Sequence, residues 1–243
     1  MADDLVLYDH AASPCARRVR IALLEKGLRW RSRPIALEHM EQKSPWYLAL
    51  NPNGIVPTLQ HGDRVIWESN VITEYVDDAF PGPKLYPADV WQRAQAKMWQ
   101  AFELEMAKEF RPLLYHRIMG PLKRGVSRDE AMAQARVHTT DSAHLEWTAR
   151  VYDGEVVSEA EAARLTALLY GRLRTLNQRL AGRAHLVGDA FSIADVSVLP
   201  RVAMYPWIGL PVDAETYPNV ADWLERLGSR PSFAKSLETS PGQ

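Results

Sequence analysis

The chain has one cysteine, Cys15, in 243 residues, so it can close no disulfide within itself and offers no cysteine cluster to a metal. It has no excess of either charge. Twenty-nine lysines and arginines stand against 30 aspartates and glutamates, a net charge of −1 that gives no electrostatic footing for nucleic acid or an anionic membrane. No apolar run approaches the roughly 20 residues needed to span a bilayer. The acidic opening Met-Ala-Asp-Asp runs into a strand and does not read as a signal peptide. His138 and His144 stand six apart and lack ligand spacing, so no metal is expected. Repeats and low-complexity stretches are missing too. A hydrophobic share of 47% and a charged share of 24% are ordinary for a globular chain. Together these absences lead to the expectation of a cytoplasmic protein that binds neither nucleic acid nor membrane.

What is present is a change of pattern along the chain. Residues 5–8 form a short apolar run, 9–14 a loop, and 15–26 a helix with Gly27 where helices end. Residues 29–35 alternate Arg29, Arg31 and Arg33 with other residues, as in an edge strand whose charges discourage edge-to-edge pairing. Residues 44–50 read as a short helix. Residues 58–60 and 65–67 flank the turn at 61–64 as antiparallel strands. Residues 71–79 read as a helix with Ile72, Tyr75, Val76 and Ala79 on one face. The order β-α-β-α-β-β-α resembles the thioredoxin fold. Three prolines and a glycine in 80–87 mark a linker. Beyond it the pattern is helical, with one stripe of Trp91, Ala94, Met98, Trp99, Phe102 and Met106 and another of Leu165, Leu169, Leu173, Leu176 and Leu180. The expected fold class is an α/β thioredoxin-like N-terminal domain (1–80), a linker (81–88) and an all-α C-terminal domain (89–243). Ser192 and Asp195, three apart before an apolar run, read as a structural capping box whose loss costs about 1 kcal/mol.

Two features carry chemistry. Pro57 enters an apolar strand and cannot donate a ladder hydrogen bond; a cis bond there would turn the backbone of Val56 outward, free to pair with an extended peptide. Eleven residues on, Glu68-Ser69 falls where a strand becomes a helix, and a helix start holds carboxylates. The pair suits a short acidic peptide such as glutathione.

The runs Ser13-Pro-Cys15-Ala-Arg-Arg-Val-Arg-Ile-Ala22, Asn51-Pro52…Val56-Pro57-Thr58-Leu59 and Glu68-Ser69 resemble the N-terminal domain of soluble glutathione transferases. Residues 186–195 resemble that family's second-domain signature. The resemblance implies that Ser13, between strand one and helix one, holds the glutathione thiolate. A free thiol has a pKa of about 8.5 and needs a hydrogen bond and a helix start to ionise near neutrality. Cys15 keeps an alternative open. Zeta-type members with a similar Ser-x-Cys run use serine, whereas related reductive dehalogenases use the cysteine position to resolve a mixed disulfide. Tau-type members carry Ser-Pro without the cysteine. For the tripeptide, the resemblance implies Glu68 on the γ-glutamyl ammonium, Ser69 on its carboxylate, and Val56 with Pro57 on the cysteinyl unit. It implies Lys43 on the glycyl carboxylate, with Gln42 and His39 as weaker candidates. The electrophile pocket draws on Tyr8, His10, Trp99, Arg111, Tyr115 and His116, of which His10, Arg111 and Tyr115 are the retained candidates. The segment 145–150 is loosely similar to bacterial β-aryl etherases, and the extended 125–170 region has a counterpart in tetrachlorohydroquinone-type dehalogenases. The leading expectation is a dimeric, detoxifying glutathione transferase acting on an apolar or aromatic electrophile by conjugation, ether cleavage or isomerisation. Thiol-disulfide exchange or dehalogenation through Cys15, and a non-catalytic ligand- or protein-binding relative, stand beside it.

Overall fold

The computed structural model describes residues 4–37, 40–120, 127–140 and 142–238. Four strands, β1 (Leu5–Asp9), β2 (Arg31–Pro34), β3 (Thr58–His61) and β4 (Arg64–Trp67), form one sheet in the order β2-β1-β3-β4. β1 runs parallel to β2 and antiparallel to β3, with Leu7 opposite both Ser32 and Leu59. Three helices accompany the sheet: α1 (Pro14–Glu25), α2 (Pro45–Leu50) and α3 (Ser69–Ala79). Side chains alternate across β1. Leu5 and Leu7 pack with Val19, Leu23, Ile72 and Val76 of α1 and α3, while Val6 and Tyr8 pack with Ile35 and Tyr47 on the other face. The arginine-bearing β2 lies at the sheet edge, and the Arg33 guanidinium sits 4.2 Å over the Trp46 ring.

The rest is helical: α4 (Val90–Leu114), α5 (Arg128–His138), α6 (Ser142–Asp153), α7 (Glu159–Leu180), α8 (Ile193–Val202), α9 (Pro218–Gly228) and α10 (Pro231–Lys235). Pro112, which has no N–H, stands in the last turn of α4, and a π-turn at Tyr115–Met119 follows. A side chain at Gly120 would meet the Tyr115 carbonyl at 2.8 Å, so the turn needs glycine there. The leucine stripe of α7 is fully buried, as its spacing predicts. The stripe read for α4 is not. Trp91 and Met98 are each 65% exposed, and Ala94 is exposed as well. The buried row is Ala96, Gln100, Glu103, Met106, Phe110 and Leu113. Apolar periodicity marks this face only in part: Met106 is buried and Trp99 and Phe102 pack on the core, but the inner face also carries Gln100, Glu103 and Glu109, paired by Tyr86, by Arg18 and Arg201, and by Arg172.

Two carboxylates pin the connections. Asp77 accepts the backbone N–H groups of Leu85 and Tyr86 at 2.8 and 3.0 Å, drawing the proline-rich segment onto the end of α3. Asp195 accepts from Ser192 N and Oγ (3.1 and 3.3 Å), Leu186 N (3.1 Å) and Trp223 Nε1 (2.9 Å). The capping box is present, but the carboxylate does more than cap a helix. Asp195→Ala strands several buried donors, so its expected cost is about 2–3 kcal/mol, above the ordinary cap value. Urea unfolding of the variant checks this; a loss below about 1 kcal/mol contradicts it.

Candidate active site

Ser13 is the N-cap of α1, with an extended backbone (φ −80°, ψ 117°) and Pro14 in the first helical position. Its Oγ accepts the Ala16 N–H at 3.2 Å. Capping uses a lone pair of the hydroxyl oxygen and leaves the proton free to be donated. The half-buried hydroxyl therefore serves the helix and can still reach a sulfur placed over the helix start. The loop ahead of it is tied by Ser13 N to His10 O (3.0 Å) and Ala12 N to His10 Nδ1 (3.3 Å).

The loop from Asn51 ends in a cis Val56–Pro57 bond, the condition on which the outward-turned Val56 backbone rests. Asn51 braces it from within, donating to Ile55 O and Thr58 Oγ1 and accepting from Asn53 N. Glu68 stands at the start of α3 with φ +68° and ψ 112°, a conformation costing a non-glycine residue roughly 1–3 kcal/mol and found mostly at functional positions. Asn53 Nδ2 donates to its carboxylate at 3.2 Å, tying the two loops together. Ser69 is buried, and its Oγ accepts from Arg18 Nη1 at 2.9 Å, so its own proton is available to a carboxylate. Lys43 Nζ donates to Asn53 O at 3.2 Å. Gly54 allows that approach, since a Cβ there would lie 2.8 Å from Lys43 Nζ and 2.9 Å from Gln42 O. Gln42 Oε1 is buried without a hydrogen-bond partner. His39 lies outside the described residues. Lys43, the 51–57 loop and Glu68 are thus joined by direct bonds.

A charged ladder missed in the sequence runs beneath these groups. Arg18 also donates to Asn70 Oδ1 at 2.6 Å and pairs closely with Glu103 of α4. Glu103 in turn accepts from Arg201 Nε of α8 at 2.8 Å, and Arg201 Nη2 reaches Cys15 Sγ at 3.7 Å. Arg18 and Glu103 are at most 1% exposed. Burial alone would raise the Glu103 carboxyl, but Arg18 and Arg201 outweigh it and hold it below the usual range. The signal for this ladder was three charged residues at core-facing helical positions.

The electrophile candidates separate. Tyr8 faces the Ile35–Tyr47 side of the sheet and donates to Gln60 Oε1 at 2.8 Å, which removes it from the set. Trp99 packs edge-on against Phe102 at 5.0 Å, and His116 lies 3.5 Å from Glu159. The Arg111 guanidinium stands 5.7 Å from the Tyr115 ring and 5.8 Å from that of Trp147, and the two rings meet edge-on at 5.4 Å. This cluster follows directly after Phe110, whose ring lies 5.5 Å under Arg201. None of the expected site residues lines the open depression of about 460 Å³ formed by Tyr170, Arg174, Asp213 and Tyr217. Among the described residues, no helix is long and apolar enough to cross a membrane.

A thioredoxin-like sheet whose first helix opens on a capping serine, joined along that helix to a helical domain, defines the class of protein. Residues 12–79 match the model of the glutathione S-transferase N-terminal domain, and residues 140–231 that of the C-terminal domain. The chain belongs to the glutathione S-transferase family of enzymes. It is 31% identical to glutathione S-transferase 3 of Zea mays, over 98% of this chain and 95% of that one. It is 30% identical to a probable maleylacetoacetate isomerase of Vibrio cholerae, over 96% and 94%. The crystal structure of the beta-etherase LigF from Sphingobium sp. strain SYK-6 superposes with a TM-score of 0.89 at 24% identity, covering 98% and 100%, a likeness of fold.

Proposed function

We propose that this chain activates the thiol of glutathione at Ser13 for attack on an apolar or aromatic electrophile. The observation that carries the reading is the Ser13 hydroxyl, half-buried at a helix start with its proton unspent. In this reading Val56, next to Pro57, pairs with the cysteinyl backbone. Glu68 takes the γ-glutamyl ammonium, Ser69 its carboxylate, and Lys43 the glycyl carboxylate, with Gln42 beside it. Residues 1–80 hold glutathione, 81–88 link, and 89–243 contribute the electrophile site. Arg111 and Tyr115, joined by Trp147, offer cationic and aromatic surface to the second substrate, and His10 lies on the loop before Ser13. Conjugation, ether cleavage and isomerisation all begin with thiolate attack, and the positive helix end offsets the negative charge that develops. A detoxifying role in the cytoplasm fits this chemistry. Retention on glutathione resin followed by turnover of an aromatic electrophile from a panel tests the reading; retention without any turnover leaves the non-catalytic alternative. Arg201 Nη2 beside Cys15 Sγ favours a second reading, thiol-disulfide exchange through Cys15.

The active unit is a homodimer. Trp67 (39%), Val71 (54%), Trp91 (65%) and Met98 (65%) are exposed on β4, α3 and α4. The ion pair of Glu74 with Lys97 at 2.9 Å holds α3 beside α4, so Val71 and Met98 belong to neighbouring surfaces. Large exposed apolar side chains grouped in this way mark association surfaces. The double variant Trp91→Glu, Met98→Glu is expected to sediment as a monomer where the parent sediments as a dimer. Equal masses for the two proteins would contradict it.

A further inference from the structure

The C-terminal segment is bound to α1 by three charged side chains, and one of them also holds the loop that presents Ser13. Arg20 is fully buried. Its Nε donates to Ser236 O at 2.7 Å, Nη1 to Asp9 Oδ2 at 2.6 Å and Nη2 to Ala11 O at 3.1 Å. Asp9 ends β1 and Ala11 lies two residues before Ser13. One planar guanidinium, with its donors in a rigid fork, therefore spans the strand end, the loop and the C-terminal end of α10. Asp9 Oδ1 is taken by Ser32 Oγ at 3.1 Å, which fixes the carboxylate from its other side. One turn earlier in α1, Arg17 donates to Ser236 Oγ at 2.9 Å and to Phe233 O at 3.1 Å, and its guanidinium lies 3.7 Å above the Phe233 ring. At the far end Glu25 pairs with Arg230 at 2.8 Å. That ion pair, joined by Ser232 Oγ donating to Glu25, anchors the segment at residues removed from Ser13. The two additional bonds of Arg20, to Asp9 and Ala11, have no bearing on anchoring the C-terminus; they fix the path of the loop.

We propose that Arg20 is a positioning residue for the Ser13 hydroxyl, and that the turn at 233–236, which Arg17 and Arg20 both grip, takes part in catalysis by holding Arg20 in place. This rests on the reading of Ser13 as the partner of the glutathione thiol. Loss of the fork lets the loop relax while the tripeptide contacts at Lys43, Val56, Glu68 and Ser69 stay as they are. Small misplacements of a reacting group cost rate far more than binding.

The test compares Arg20→Lys with Glu25→Gln in the full-length protein. Arg20→Lys keeps the charge but not the fork; it is expected to lower kcat about tenfold with the KM for glutathione within about twofold, and to weaken the ultraviolet thiolate band of bound glutathione at neutral pH. Glu25→Gln loosens the segment away from the loop. It is expected to lower the melting temperature while leaving kcat and the thiolate band as in the parent. Should Arg20→Lys not fold, Phe233→Ala, which removes only the ring beneath Arg17, is expected to lower kcat about threefold at unchanged KM. Unchanged kcat and band in the Arg20 variant, or in Phe233→Ala when it stands in, overturn the proposal, as do equal losses of kcat in Arg20→Lys and Glu25→Gln. A parent protein without any thiolate band on binding glutathione removes the Ser13 reading instead, and that result is seen before a variant is made.

Discussion

Ser13→Ala is expected to lower kcat about tenfold to a hundredfold at neutral pH, while Cys15→Ala leaves it within about twofold. The size follows from the bond removed. A hydrogen bond to a charged group contributes roughly 1.5–3 kcal/mol, and each 1.4 kcal/mol is a factor of ten in rate. The pH dependence gives the claim its sign. With a free thiol pKa of about 8.5, glutathione near pH 7 is only a few per cent ionised unless the protein stabilises the thiolate. The variant should therefore be most impaired near neutrality and regain activity as the pH rises and the thiol ionises unaided. Alanine also removes a helix cap, at a cost of about 1 kcal/mol. Ser13→Gly keeps most of the cap's stability and has no side-chain donor, so it separates the two roles: stability is largely retained and activity is not. If Cys15→Ala proves the crippling change, chemistry passes through the cysteine and the exchange mechanism stands.

Glu103→Gln is expected to destabilise the protein by about 3–5 kcal/mol at neutral pH, the scale for removing one partner from a buried ion pair. Glu103 is the one carboxylate between the Arg18 and Arg201 guanidiniums in the bonds that join α1, α4 and α8. Without its charge, two buried cations face each other across the domain boundary. Because the folded carboxyl is held below its ordinary value, its contribution is complete above the usual carboxylate range and lost as the pH falls through the depressed folded value. The stability gap between parent and variant should accordingly be widest at neutral pH and narrow below about pH 4. Urea unfolding at two pH values measures this. Equal stabilities at neutral pH would show that the ladder holds nothing together.

How much of this was legible in the sequence depends on the range of the interactions involved. Gly27, Pro57, the turn at 61–64 and the proline-rich 80–87 are local signals, and they place the elements of the sheet domain within one or two residues. The α1 start moved only from Cys15 to Pro14, and α3 begins at Ser69 instead of Val71. The leucines of α7 share one face, so spacing alone buried them. α4 defeated the same argument because Gln100, Glu103 and Glu109 occupy its inner face, where charge is normally penalised. Glu103 is paired by Arg18 and Arg201, 85 and 98 residues away in the chain, Glu109 by Arg172, 63 away, and Gln100 by Tyr86 and Asn70, 14 and 30 away. The same holds for Arg20, whose bond to Ser236 spans 216 residues. A chain segment shows its own periodicity but not its partner across the fold. The helix-start positions of Ser13, Glu68 and Ser69 could be read because the strand-to-helix boundaries are local signals. Arg18, which donates to Ser69 from 51 residues away, could not.

A calorimetric titration of the purified chain with glutathione addresses the central claim directly. Saturable heat at millimolar ligand, lost in Ser69→Ala and retained in Ser13→Ala, is the predicted result, because the proposed mode has the α3 start grip the tripeptide while its sulfur alone meets Ser13. No heat of binding to the parent protein at that concentration would contradict the account.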